Sequence, residues 1–197
     1  MASAFTSEER KKIHKELIDS AKKMASKYGM KGTSVEQLAK SAGISKGMFY
    51  KFYPSKEMLF FEMLESMHSE IYGTAEKILR ERTDLGERER LAEAFMAALN
   101  TMERLGMEDF WENDIPYLLR KIPEDILEEH YHSDEEHISE LIKISGINIS
   151  LPSDVVSSLI RALILTMSHQ KEIGKYYPQV LKILVSSVCS SLIYPSF

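Results

Sequence analysis

With a single cysteine, Cys189, the chain cannot form an intramolecular disulfide, and a reducing compartment is its natural setting. Breakers are scarce too: nine glycines and six prolines in 197 residues, the prolines mostly where a helix would start, which predicts an all-α chain. No long hydrophobic run exists. The longest uncharged stretch, residues 183–197, is 15 residues with five serines, short of the roughly 18 or more a membrane span needs. The N-terminus, MASAFTSEERKK, turns charged at once and has no apolar core, so no signal peptide is expected and the expected location is cytoplasmic. There is no glycine-rich phosphate loop and no nucleophile–base constellation, so neither an enzyme nor a cofactor is expected. What remains, 44% hydrophobic and 28% charged residues, is ordinary for a globular chain with ample length for a core.

The net charge of −5 argues against a polyanionic partner until its distribution is considered. Residues 1–56 carry 12 Lys+Arg against 5 Asp+Glu, whereas residues 57–197 carry 13 against 25. A basic module on an acidic body concentrates phosphate attraction at one end.

Within the basic part, residues 33–57 read TSVEQLAKSAGISKGMFYKFYPSKE. Thr33 followed three residues later by Glu36 predicts a capping box, and Val35, Leu38 and Ala39 supply the apolar spacing of a short helix. Gly43 suits the left-handed turn after it, Ile44 plugs the turn, and Ser45 caps a second helix to about Lys51. Helix, glycine turn and helix make a helix-turn-helix, whose second helix enters the major groove. The first helix, started by Ser7 and stopped by Gly29, carries an apolar stripe from Ile13 to Tyr28 opposite a row of lysines. It closes a three-helix module.

Thr33, Val35, Leu38, Ala39, Ala42, Gly43, Ile44, Ser45, Gly47, Phe49, Tyr50, Ser55, Lys56 and Glu57 together resemble the DNA-binding domain of TetR-type transcriptional repressors. One departure is visible: Phe52-Tyr53 stands where the family more often has Tyr or His and then Phe, which leaves Tyr53 to supply the phosphate donor. The resemblance and the base-reading geometry of such motifs imply that Ser45, Lys46 and Met48 read bases, that Gly47 allows close backbone approach, and that Thr33, Tyr50, Tyr53 and Lys56 hold phosphates.

The expected architecture is therefore all-α. Residues 1–56 form a helix-turn-helix domain, joined by a long connector helix to residues 57–197, a helical effector-binding and dimerisation domain. The connector carries Met58, Leu59, Phe61, Met63, Leu64, Met67, Ile71, Ala75 and Ile78 over some six turns. Residues 152–194 hold two helices whose apolar arcs exceed one face, which predicts a two-fold four-helix bundle with a second copy. The resemblance implies release from an operator by a small molecule. Eleven methionines favour an apolar effector, with Met67, Phe95, Met102, Phe110, Trp111 and Tyr117 the candidate lining. The acids Glu108, Asp109, Glu112 and Asp114 read as a solvated loop or as a lure for a cation.

His130, Asp134 and His137 in HYHSDEEH would share a helix face, a spacing that invites a metal. The acidic surroundings, the lack of a known ligand spacing and an expected bend at Ser133 make solvated surface the preferred reading of His130, His132 and His137, with no metal. Two rivals stay open: a helical metal-dependent enzyme, and a DNA-bound architectural protein without an effector.

Overall fold

The computed structural model describes residues 5–105 and 110–193. Ten α-helices and one π-helical turn make up the described chain, and no strand occurs among the described residues, as an all-α sequence requires. Two compact units result. The first comprises Met1–Met67 with Met107–Ile122, the second His68–Gly106 with Pro123–Phe197.

In the first unit, α1 (Ser7–Tyr28), α2 (Val35–Ser41) and α3 (Lys46–Phe49) form the three-helix module. Helix α1 is capped by Thr6 rather than Ser7, with Glu9 closing the capping box. The acidic side chain at this position also meets the helix dipole favourably. The buried face of α1 is Leu17, Ile18, Ala21 and Ala25, whereas Tyr28, expected at the end of the stripe, is 49% exposed beneath Lys27. Helix α2 is capped one residue later than the sequence suggests: Ser34 and Gln37 make the box, not Thr33 and Glu36. Gly43 takes φ +69° in the turn, and Ser45 caps α3 by accepting the Met48 N–H. Helix α3 proper ends at Phe49, and looser turns carry it on to Tyr53.

Helix α4 (Lys56–Glu81) starts at Ser55, whose hydroxyl accepts the Met58 N–H. It runs without a break through the end of the first unit into the second. Its first half buries Leu59, Phe60, Met63 and Met67; its second half buries Ile71, Ala75 and Leu79. The π-helical turn Phe110–Asp114 and α6 (Ile115–Leu119) complete the first unit, with Phe110 stacked on Phe60 at 6.0 Å. Glu108 and Asp109, two of the four acids singled out in the sequence, lie outside the described residues.

The second unit adds α5 (Glu87–Arg104), α7 (Glu124–Ser145), α8 (Ser153–Met167), a short α9 (Gln170–Ile173) and α10 (Tyr177–Leu192). No bend occurs at Ser133. Helix α7 is continuous because nothing near Ser133 removes a backbone donor, and it stops at Gly146 in the left-handed conformation. Along α10, Leu181, Val185, Cys189 and Leu192 point inward. Burial pushes the Cys189 thiol up to about 12, so it is a packed hydrophobe and not a nucleophile.

Candidate nucleic-acid interface

The candidate DNA face is the exposed edge of α2 and α3. Ser45, Lys46, Gly47 and Tyr50 are exposed and Met48 is half-buried, while Phe49 beneath them is fully buried and fixes the helix. Met48 and Phe49 thus divide the work of one short helix. The Lys46 ammonium pairs with the Glu36 carboxylate at the start of α2, and both groups are more than half exposed. The pair holds Glu36 below and Lys46 above its ordinary range, chiefly through the hydrogen bond itself. An exposed pair of this kind is worth little to stability, so Lys46 can leave it for a stronger acceptor. A Cβ placed on Gly47 meets nothing within 4 Å, so no packing demand explains that glycine.

Three residues expected to hold phosphates are engaged inside the unit instead. Thr33 is 2% exposed, and its hydroxyl donates to the Gly29 carbonyl at 2.7 Å. The Lys56 ammonium donates to the carbonyls of Met30 at 2.9 Å and Thr33 at 2.8 Å, pinning the loop before α2 to the start of α4. Tyr53 is 4% exposed, between His14 at 5.8 Å and Phe49 at 6.0 Å. Burial, reinforced by the nearby Glu62 carboxylate, holds its phenol far above the ordinary range. Phe52, which has no donor, carries the Arg10 guanidinium over its ring at 5.1 Å. Arg10 therefore brings a positive group to the position where the sequence offered only an aromatic ring. Exposed Lys11, Lys12 and Lys15 follow it along α1.

No local sequence signal marks what seats the loop between α1 and α2. Asp114 is 3% exposed, and its carboxylate accepts the Met30 N–H. It is not part of a solvated acidic loop. Gly29, at φ +67° and ψ +169°, lies against it: a Cβ there would stand 2.8 Å from Asp114 Oδ2. Lys31 donates to the Asn113 carbonyl at 2.9 Å and lies over the Tyr117 ring.

The six candidate effector residues divide between the units. Phe110 and Met67 are buried and Trp111 and Tyr117 half-buried in the first; Met102 is buried and Phe95 half-buried in the second. Phe110 and Trp111 meet edge to face at 6.2 Å. The Trp111 indole N–H is buried without a hydrogen-bond partner among the described residues. The second unit also has an open depression of ≈ 510 Å³ along Ile142, Ile147, Ile149 and Leu151, which none of the six lines.

The histidines of HYHSDEEH separate. His132 is exposed beside Glu136, and His137 stacks on Tyr72 at 5.1 Å. His130 is 8% exposed and packs on His68, so it is not solvated surface.

A basic three-helix unit that presents a short capped helix has the architecture of a helix-turn-helix DNA-binding module. Residues 17–63 match the family model described as bacterial regulatory proteins, tetR family. The chain is 39% identical over 62 residues to the uncharacterized HTH-type transcriptional regulator YuxN of Bacillus subtilis, covering 32% of this chain and 21% of that one. It is 34% identical over 88 residues to the HTH-type transcriptional repressor KstR2 of Mycolicibacterium smegmatis, covering 45% of this chain and 42% of that one. The chain thus spans less than half the length of either relative. The fold matches a TetR transcriptional regulator from Rhodococcus sp. RHA1 with a TM-score of 0.64 at 15% identity, covering 95% and 100% of the two chains. Residues 17–63 are thus similar to the DNA-binding domain of tetR-family regulators, and the fold of the chain is similar to that of the solved TetR regulator. No helix among the described residues is long and apolar enough to cross a membrane.

Proposed function

We propose that the chain is a cytoplasmic, dimeric repressor that grips an operator through α2 and α3 and lets go when a small, largely apolar effector binds. Residues 1–56 serve DNA, residues 57–197 serve the effector and the second copy, and α4 is the connector. The repressor reading is supported by the likeness to KstR2, whose name describes a repressor. The observation that carries the DNA reading is the open face of α3, where Lys46 and Gly47 stand clear of the rest of the protein on a basic unit.

A two-fold dimer would set two such helices against half-sites roughly 34–36 Å apart. The surface that supports it lies on residues 152–194. Leu165 on α8 is 53% exposed and Ile183 on α10 is 64% exposed, and Val155 is a third exposed apolar side chain. On α10 the outward row Val180, Ile183, Leu184 and Val188 is apolar at helical spacing, beside the small exposed Ser187 and Ser191. Of the six candidate effector residues, Met67, Phe110, Trp111 and Tyr117 belong to the first unit and Phe95 and Met102 to the second; within the first unit the Trp111 indole N–H offers a donor to an otherwise apolar ligand.

Fluorescence anisotropy with duplex tiles from the upstream region tests the proposal. One tile should saturate with two protomers and a steep salt dependence. Equal, weak binding to every tile would overturn it. In that assay Lys46→Ala should relax preference at one position of each half-site, by about 1–3 kcal/mol. Lys56→Ala should weaken all sequences alike, since its ammonium seats the loop before α2. Uniform loss in both variants would remove Lys46 from base reading. Gly47→Ala should separate folding from binding. With open space around the new methyl, the melting temperature should hold or rise, by about 0.5–1 kcal/mol in helix propensity, while operator affinity falls. Unchanged affinity would show that the backbone of α3 does not approach DNA there.

A further inference from the structure

Within the second unit, α4 and α7 bring two pairs of side chains together, each pair one turn apart on its own helix: His68 with Tyr72, and His130 with Asp134. The two imidazoles stack with centroids 5.2 Å apart and planes 25° from parallel. The Asp134 carboxylate lies against both rings, with Oδ1 3.4 Å from His68 Nδ1 and Oδ2 3.7 Å from His130 Nε2. We propose that His68, His130 and Asp134 are the protein ligands of a divalent first-row transition ion of the zinc type.

Three features carry the assignment. First, the separations exceed the roughly 2.7–2.9 Å of a closed charge-assisted hydrogen bond. The gap leaves room for an ion between the carboxylate and the two rings, one nitrogen of each ring lying within 4.8 Å of the other. Second, two imidazoles and a carboxylate are the borderline nitrogen and oxygen donors that zinc and its neighbours take, and three protein ligands leave one position for water or another ligand. Third, the carboxylate is already oriented: the Tyr72 hydroxyl donates to Asp134 Oδ1 at 2.7 Å, as outer partners of metal ligands do. The cluster is sheltered yet reachable, with side-chain exposures of 8% for His130, 18% for Asp134 and 22% for His68. The other histidines of α7 are engaged elsewhere. His137 Nδ1 meets the Ser133 carbonyl at 2.8 Å, and His132 projects into solvent. An ion here would tie α4 to α7.

The test uses the full-length protein stripped with a chelator, then titrated with Zn²⁺ against a chromogenic chelator and, separately, with Co²⁺ followed by its visible absorption. One ion per chain and a four-coordinate Co²⁺ spectrum are expected. Asp134→Asn, which keeps the shape, and His68→Ala should abolish both signals while the metal-free circular dichroism and melt stay as in the parent. Tyr72→Phe should weaken the ion by about 10-fold or more through loss of the carboxylate's outer partner. His132→Ala should bind as the parent does. Less than one ion per chain at micromolar Zn²⁺, full binding in both Asp134→Asn and His68→Ala, or loss in His132→Ala would each overturn the proposal.

Discussion

Ile183→Asp and, independently, Leu165→Asp are expected to turn the proposed dimer into monomers at micromolar concentration. Each side chain is more than half exposed in the single chain, so neither change removes core packing within a protomer. In a two-fold bundle each would instead sit in the contact twice. Losing the burial of two large aliphatic side chains costs the dimer about 3–6 kcal/mol. Setting two like charges across the interface adds to that cost. At 1.4 kcal/mol per factor of ten, the dissociation constant should rise by at least about 100-fold. Sedimentation velocity reads the change, and circular dichroism checks that the helices persist. Operator binding should fall in parallel, since a monomer presents one recognition helix to two half-sites. Two variants on different helices make the result hard to mistake. Dimers that persist in both would mean that α8 and α10 are not the contact.

The DNA-binding module was readable because its signals are local. Caps at Ser45 and Ser55, the glycine turn at Gly43 and the apolar spacing of α2 each act within a turn or two of chain. The long helices followed for a similar reason, their period persisting over many residues. What escaped the sequence is what distant chain decides. Thr33 and Ser34 are adjacent hydroxyl residues with equal claims to cap α2, and burial of Thr33 against the Gly29 carbonyl settles the choice. Tyr53 suits a phosphate chemically, yet its ring completes a cluster with Phe49 and His14 that fills the centre of the module. Asp114 lies in a run of acids that looks solvated, and its partner, the Met30 N–H, is 84 positions away. The face shared by His130 and Asp134 was legible from helical spacing. The histidine that joins them was not His137, seven residues on, but His68 on another helix, which no local pattern could have marked.

Gly29→Ala is expected to damage the first unit more than any surface change in the DNA face. Two costs add. The backbone at φ +67° and ψ +169° lies in a region open essentially to glycine alone, and forcing a side chain there costs about 1–3 kcal/mol. The new Cβ would also stand 2.8 Å from Asp114 Oδ2, so the carboxylate must move and give up the Met30 N–H, a bond to a charged group worth about 1.5–3 kcal/mol. The sum, roughly 2.5–6 kcal/mol, is a large share of the 5–15 kcal/mol that holds a typical domain together. The expected readout is a melt at least about 10 °C lower, with operator affinity lost because the loop before α2 no longer holds its place. Asp114→Ala separates the two costs. Alone it leaves the buried Met30 N–H without its acceptor; combined with Gly29→Ala it also removes the clash. The double variant should therefore be more stable than the sum of the single losses predicts, by an amount that measures the contact between the two residues. Strict additivity would assign the whole effect of Gly29→Ala to backbone strain, and a melt within about 2 °C of the parent would show that the turn does not need glycine at all.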